Sequence, residues 1–160
     1  MSEAGAHGGE LHAYGRNGFR PDPENPGWFK RPPSVGGFAE IFGAMLVRLE
    51  GERHVRCRFE AGEQHANHYR FLHGGYLMAA IDQGMFMIAA ARKATGEHGA
   101  VTLNCSTSFI APGQLGAPLE VVGEVLRESK RLVFLHGLVE QDGRTVASFS
   151  GTLNKVSPRS

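Results

Sequence analysis

The sequence predicts an α+β fold in which a strongly curved antiparallel sheet wraps around one long helix. Three observations carry that expectation. Two short alternating runs precede a long apolar segment, Tyr76 to Ala91, that holds a single charged residue. Four longer strand-like runs follow it with little helix between them. Asp142-Gly143, between the last two of these runs, is a strong hairpin signal.

Residues 1–36 are rich in Gly, Pro, His and Asn, as in Arg20-Pro21-Asp22-Pro23-Glu24-Asn25-Pro26-Gly27. That composition opposes regular helix or ladder formation and predicts an extended arm. Trp28 and Phe29 are adjacent aromatics, which usually bury something, so this end of the arm is expected to pack on the domain or on a neighbouring subunit. His7 and His12 show no regular ligand spacing and read as solvated tail residues.

The domain itself, residues 37–160, begins with a short helical stretch from Phe38 to Gly43. Met45 to Glu50 then forms a hairpin, through Gly51-Glu52, with a strand that carries Val55, Cys57 and Phe59 on one face and His54, Arg56, Arg58 and Glu60 on the other. A polar loop, Gly62 to Leu72, leads into the long helix, expected from Gly74 to about Ala94 and ended by Thr95-Gly96-Glu97-His98-Gly99. Strands are expected over Ala100 to Ile110, Pro118 to Arg127, Arg131 to Glu140 and Thr145 to Val156.

At 160 residues the chain has the length of one ordinary domain, and its formal net charge of +1 gives no general electrostatic case for nucleic acid or an anionic membrane. Cys57 and Cys105 lack a CxxC spacing, so they read as buried free thiols in a reducing compartment. The N-terminus carries no charged-then-apolar signal pattern, and the longest apolar run contains Asp82 and falls short of a membrane span. A soluble cytoplasmic protein without a metal site is expected.

Asp82 is the only charged residue from Tyr76 to Ala91. A helix that is apolar all round is normally buried, and an ionised carboxylate buried without partners is costly. Asp82 is therefore either a structural residue paired with backbone or Arg, or a general base or nucleophile held in a dry pocket. Gly74 and Gly75 offer unpaired N–H groups at the positive end of the same helix, which makes them candidates for an oxyanion hole. Eight residues separate Gly74 from Asp82, about 12 Å along a helix axis, too far for both to touch one carbonyl carbon. Either they serve different purposes, or two chains of a symmetric dimer each donate one of them.

The fragment His65-Ala66-Asn67, followed by His73-Gly74-Gly75 and by Asp82 nine residues after His73, resembles the hotdog-fold acyl-CoA thioesterases of the phenylacetate-pathway type. Val101-Thr102-Leu103-Asn104 leading into Ser108-Phe109-Ile110-Ala111-Pro112-Gly113 resembles that family's next strand, and Asp142-Gly143 with Val146-Ala147 resembles its closing hairpin. The resemblance spans roughly Gly37 to Val156 and leaves the arm outside it.

That resemblance implies a hotdog fold and a metal-free hydrolase that cleaves an acyl- or aryl-CoA thioester, needs no cofactor because coenzyme A is part of the substrate, and works as a homo-oligomer, a dimer or a dimer of dimers. Asp82 would be the nucleophile or the general base. The Gly74 N–H would be the oxyanion donor, Asn67 would position the thioester or the lytic water, and His73 would support the helix start. Thr102 would bring a hydroxyl near the carboxylate, although its strand face, shared with Asn104, Ser106 and Ser108, reads as the solvated one. Gly75 and Arg70 are assigned to substrate binding; Arg70 stands where relatives often carry glycine, and could narrow the acyl pocket, reach a phosphate of coenzyme A or swing harmlessly into solvent, while Asn104 stands where relatives often carry an acid.

His65 and His68 read as hydrogen-bonded loop residues. Arg127, Lys130 and Arg131 cluster at a strand connection and are the preferred candidates for coenzyme A phosphates, ahead of Arg48, Arg56 and Arg58 on the first hairpin. Met78, Met85, Met87 and Phe86 sit at helical spacing suited to a core, an interface or an adaptable acyl pocket. Two other functions fit the same scaffold: a non-catalytic acyl-CoA binder or sensor, which would gain little from Asp82, and an enoyl-CoA hydratase working through a His and carboxylate pair.

Overall fold

The chain is described by a computed structural model over residues 18–31 and 36–157. His7 and His12, with the rest of the expected arm up to residue 17, lie outside the described residues. Among the described residues the strands are β1 (Arg20–Pro21), β2 (Phe29–Lys30), β3 (Leu46–Glu50), β4 (His54–Phe59), β5 (Ala100–Phe109), β6 (Leu119–Glu128), β7 (Leu132–Gln141) and β8 (Arg144–Lys155), with one α-helix, α1 (Gly74–Ala91), between β4 and β5 and short 3-10 turns at Phe38–Phe42 and Glu63–His65. All eight strands join one antiparallel sheet in the order β1-β2-β3-β4-β6-β7-β8-β5. The sheet is open, with β1 at one edge and β5 at the other.

The period-2 pattern decides which face meets the helix. Val55, Cys57 and Phe59 of β4, Leu119 and Val121 of β6, and Val133, Leu135 and Val139 of β7 are all buried, and they pack with Leu77, Ala80, Ile81, Met85 and Ile88 of α1. Each Val, Leu, Ile, Phe or Met among them contributes about 1.5–3 kcal/mol by leaving water. Gly84 sets how closely helix and sheet approach, because a Cβ there would lie 2.7 Å from Cγ1 of Val121. Burial raises the Cys57 thiol far above its ordinary range, so it stays protonated. Asp142 and Gly143 both take left-handed φ, at 48° and 74°, as a two-residue hairpin with type I′ geometry requires.

Three expectations are corrected. The arm does form ladder: Arg20 and Pro21 pair with Lys30 and Phe29, and Phe29 and Lys30 pair with Val47 and Leu46. Two-residue strands tolerate the surrounding prolines because few ladder N–H groups are needed, and Asp22 ties the connecting turn by accepting from the Glu24 N–H and the Asn25 amide. The helix stops at Ala91 rather than near Ala94, because Lys93, not a glycine, takes the left-handed position at φ 57°. The Lys93 and Ala94 N–H groups then bond to the carbonyls of Ala90 and Ala89, which closes the end as a Schellman motif. Finally, α1 is not buried all round: Gly75 and Met78 are exposed and Asp82 is half-buried, so one stripe of the helix is open to solvent.

Trp28 is buried on the outer face of the sheet, between the guanidinium groups of Arg48 and Arg58 at 4.5 and 4.2 Å from its ring centroid. Arg56, beside them, donates to Glu50, Glu120 and Glu140 at once. Glu120 and Glu140 stand directly opposite each other across β6 and β7, an arrangement that is destabilising unless a cation intervenes. Among the described residues no helix is long and apolar enough to cross a membrane.

Candidate active site

The loop before α1 is built by His65 and Asn67. His65 is buried and stacks on Tyr76 of α1, with ring centroids 3.7 Å apart and planes 6° from parallel. Its Nδ1 accepts from the Gly62 N–H at 3.0 Å and its Nε2 lies 2.6 Å from the Ile41 carbonyl, so the tautomer carrying its proton on Nε2 satisfies both. Tyr76 in turn donates its hydroxyl to the Glu60 carbonyl. His65 is thus fully used by the scaffold, in line with the loop role expected for it.

Asn67 closes a tight turn. Its Oδ1 accepts from the N–H groups of Tyr69 and Phe71 at 2.9 and 3.1 Å, while its own N–H donates to the Phe71 carbonyl at 2.7 Å. Arg70 donates its N–H to the Asn67 carbonyl and takes φ 67°, a left-handed conformation that costs a bulky residue about 1 kcal/mol and a glycine nothing. Its guanidinium is exposed and pairs with the Glu63 carboxylate.

His73 is the N-cap of α1. Its Nδ1 accepts from the Gly75 N–H at 2.9 Å, and its carbonyl accepts from Tyr76 and Leu77. That engagement removes the Gly75 N–H from the set of free donors. Gly74, the first helical residue, keeps an N–H without an intrahelical acceptor at the positive end of the helix. A Cβ at Gly74 would meet the ring of Phe109, the last residue of β5, at 3.5 Å.

Two turns along the helix, Asp82 meets β5. Thr102 donates its hydroxyl to Asp82 Oδ1 at 2.6 Å. This overturns the expectation that Thr102 lies on a solvated face. A bulge between Thr102 and Asn104 shifts the register, so Thr102, paired with Leu153, points inward, and beyond the bulge Cys105 and Thr107 inherit that face while Asn104, Ser106 and Ser108 point out. Asp82 makes no ion pair among the described residues, so its charge is not explained by an Arg partner. Gly74 and Asp82 remain eight residues apart on one continuous helix.

The cationic candidates separate. Lys130 and Arg131 line an open cavity of about 540 Å³ together with Leu103, Ser129, Leu132 and Asn154, at the same end of β5 as Thr102. Arg127 lies on β6 outside that lining. No ion pair engages any of these three cations among the described residues, whereas Arg48, Arg56 and Arg58 are neutralised by Glu50, Glu120 and Glu140. No cluster of three or more His, Cys, Asp or Glu side chains suited to a metal occurs among the described residues. Cys57 and Cys105 are both free thiols, the first buried and the second half-buried.

The sequence profile of the thioesterase superfamily matches residues 69–148, half of the chain, a span that begins after Asn67 and includes Asp82, Thr102 and the closing hairpin. The chain belongs to the thioesterase superfamily. It is a thioester hydrolase on a hotdog fold, with one helix packed against an open antiparallel sheet. Human acyl-coenzyme A thioesterase 13 is 25% identical to this thioesterase over 99 residues, 61% of this chain and 68% of the relative. A mutant of the phenylacetic acid degradation protein PaaI from Thermus thermophilus superposes with a TM-score of 0.61 at 26% identity, covering 73% of this chain and 96% of that one. Two further structures share the fold: a hypothetical thioesterase with coenzyme A from Streptococcus pneumoniae (TM-score 0.62, 22% identity, 74% and 94% coverage) and zebra fish thioesterase superfamily member 2 (TM-score 0.65, 20% identity, 76% and 88% coverage).

Proposed function

We propose that this thioesterase hydrolyses acyl- or aryl-CoA thioesters to the free acid and coenzyme A, with Asp82 as nucleophile or general base. The observation that carries this reading is the Thr102 to Asp82 hydrogen bond. It holds one carboxylate oxygen and leaves the other free on the open stripe of α1, where a thioester or its attacking water can approach. Similarity to acyl-coenzyme A thioesterase 13 and to a thioesterase solved with coenzyme A supports the substrate class.

The Gly74 N–H supplies the oxyanion contact. His73 fixes that donor by capping the helix, and Asn67, whose Oδ1 is spent on its own turn, has its amide N–H groups left to meet the thioester or the water. Because Gly74 and Asp82 of one helix lie about 12 Å apart, the site joins Gly74 of one copy to Asp82 of another. The open α1 stripe around Met78 and the long edge strand β5, with Val101, Leu103 and Phe109 exposed, support assembly as a dimer or a dimer of dimers. Lys130 and Arg131, with Arg127 behind them, bind coenzyme A phosphates, and Gly75 lets the pantetheine arm approach the backbone. The reaction needs no cofactor, and the free thiols suit a cytoplasmic enzyme.

The test is thiol release from a panel of acyl- and aryl-CoAs by wild type, Asp82→Asn and Asp82→Ala. Loss of the carboxylate is expected to lower kcat by about 10²–10⁴-fold with little change in melting temperature. Full activity in both variants would remove Asp82 from the mechanism. Saturable coenzyme A thioester binding with no thiol released by wild type would overturn the hydrolase reading.

A further inference from the structure

We propose that Arg70 is a specificity-determining residue that selects thioesters whose acyl group carries a carboxylate. The inference rests on the hydrolase reading above and names its substrate class. Its starting point is conformational. Arg70 holds φ 67°, a region natural to glycine, and is kept there by a turn in which four hydrogen bonds converge on Asn67. A large residue held in strain by an over-determined turn beside a reaction centre is where function is to be sought.

The side chain is suited to an anion. Its guanidinium is 66% exposed and pairs with the Glu63 carboxylate, itself 70% exposed. Such a surface pair is weak and exchangeable, so a substrate carboxylate presented to the same planar fork can replace Glu63. Reach then decides which part of the substrate is read. Arg70 stands three residues after Asn67 and donates its backbone N–H to the Asn67 carbonyl, so the base of its side chain sits beside the residue assigned to hold the thioester, and a guanidinium released from Glu63 can turn toward the acyl group. The phosphates of coenzyme A are separated from that thioester by the whole pantetheine arm, and other cations, Lys130 and Arg131, stand unpaired among the described residues to take them. An anion within reach of Arg70 therefore belongs to the acyl group.

The experiment compares hydrolysis of hexanoyl-CoA and adipoyl-CoA, which differ by a terminal carboxylate at equal chain length. Wild type is expected to favour adipoyl-CoA in kcat/KM by about tenfold or more. Arg70→Met and Arg70→Gly are expected to bring that ratio close to one through a higher KM for adipoyl-CoA, while Glu63→Gln, which frees the guanidinium, raises the ratio. Arg70→Gly also relieves the positive φ and so guards against a loss that merely reports misfolding. An unchanged ratio in Arg70→Met overturns the proposal. So does a KM that rises equally for both CoA substrates but not for the matching pantetheine thioesters, which would place Arg70 on a phosphate. Failure of wild type to release thiol from any acyl-CoA has a different signature and overturns the hydrolase reading itself.

Discussion

Thr102 on β5 and Asp82 on α1 are joined by a 2.6 Å hydrogen bond, and a bulge between Thr102 and Asn104 breaks the alternation that would put Thr102 on the same face as Asn104. Without that register shift the threonine would face solvent, and Asp82 would sit on the helix stripe with no partner among the described residues. The bond selects one carboxylate rotamer and occupies one of its two oxygens.

Replacing Thr102 tests whether that rotamer matters for the rate. A hydrogen bond to a charged group contributes about 1.5–3 kcal/mol, so Thr102→Val is expected to lower kcat by about ten- to a hundredfold while Thr102→Ser stays near wild type. The check is kcat against pH for all three proteins. Thr102→Val with wild-type kcat across the profile would show that Asp82 needs no partner on β5.

Much of this geometry is legible in the sequence. The helix start at His73-Gly74, the lone carboxylate of its apolar run and the Asp142-Gly143 hairpin are local signals, written in cap chemistry, composition and turn residues within a few positions of each other. What stays hidden depends on contacts between distant segments. A period-2 reading of β5 puts Thr102 on the same face as Asn104, because nothing in Val101-Thr102-Leu103-Asn104 announces a bulge; pairing with Leu153 and Thr152 of β8 creates it. Lys93 at the helix end takes a conformation that propensity assigns to glycine. The strands at Arg20–Pro21 and Phe29–Lys30 are too short to show a pattern, and they exist because β3 offers them an edge. Gln141 is a polar residue buried by partners on a distant loop, and His65 takes one of its two partners, the Ile41 carbonyl, from outside its own loop, which no local window contains.

Arg56 is the keystone of the outer face, and its removal should be felt most at neutral pH. It is 17% exposed and donates to three carboxylates. Breaking a fully buried pair costs about 3–5 kcal/mol, and this one keeps some solvent, so Arg56→Met is expected to cost about 1–3 kcal/mol at pH 7. The sign with pH follows from Glu50. Burial pushes its carboxyl up, but donation from Arg56 and Arg48 outweighs that and holds it below the ordinary glutamate range. A depressed carboxylate contributes stability in full above the unfolded pKa, about 4.3, and loses it as pH falls through the folded value. Urea melts of wild type and variant are therefore expected to differ most near neutrality and to converge as the pH drops through that range. A gap that stays constant would show that Arg56 acts through packing of its aliphatic stem alone.

Gln141 links the far end of β7 to the loop that precedes α1. Its side chain is buried, with Oε1 accepting from the Gln114 N–H at 2.7 Å and Nε2 donating to the Gln114 and Ala117 carbonyls at 2.9 Å each. The loop it clamps also presents the Gly113 carbonyl to the Leu72 N–H at 2.8 Å, and the Gly116 N–H to the Ala61 carbonyl at 2.7 Å. Leu72 directly precedes His73, so the clamp helps to place the helix cap and, through it, the Gly74 donor. Gln141→Leu fills the same space but leaves one N–H and two carbonyls of the half-buried Gln114 and Ala117 without their partner, at up to about 1–3 kcal/mol each before relaxation and rehydration. The expected outcome is a stability loss of several kcal/mol together with faster amide exchange at Leu72 and Gly116 and a lower kcat, although the residue touches no substrate. Loss of stability with wild-type kcat and unchanged exchange at Leu72 would show that the loop and the helix start are uncoupled.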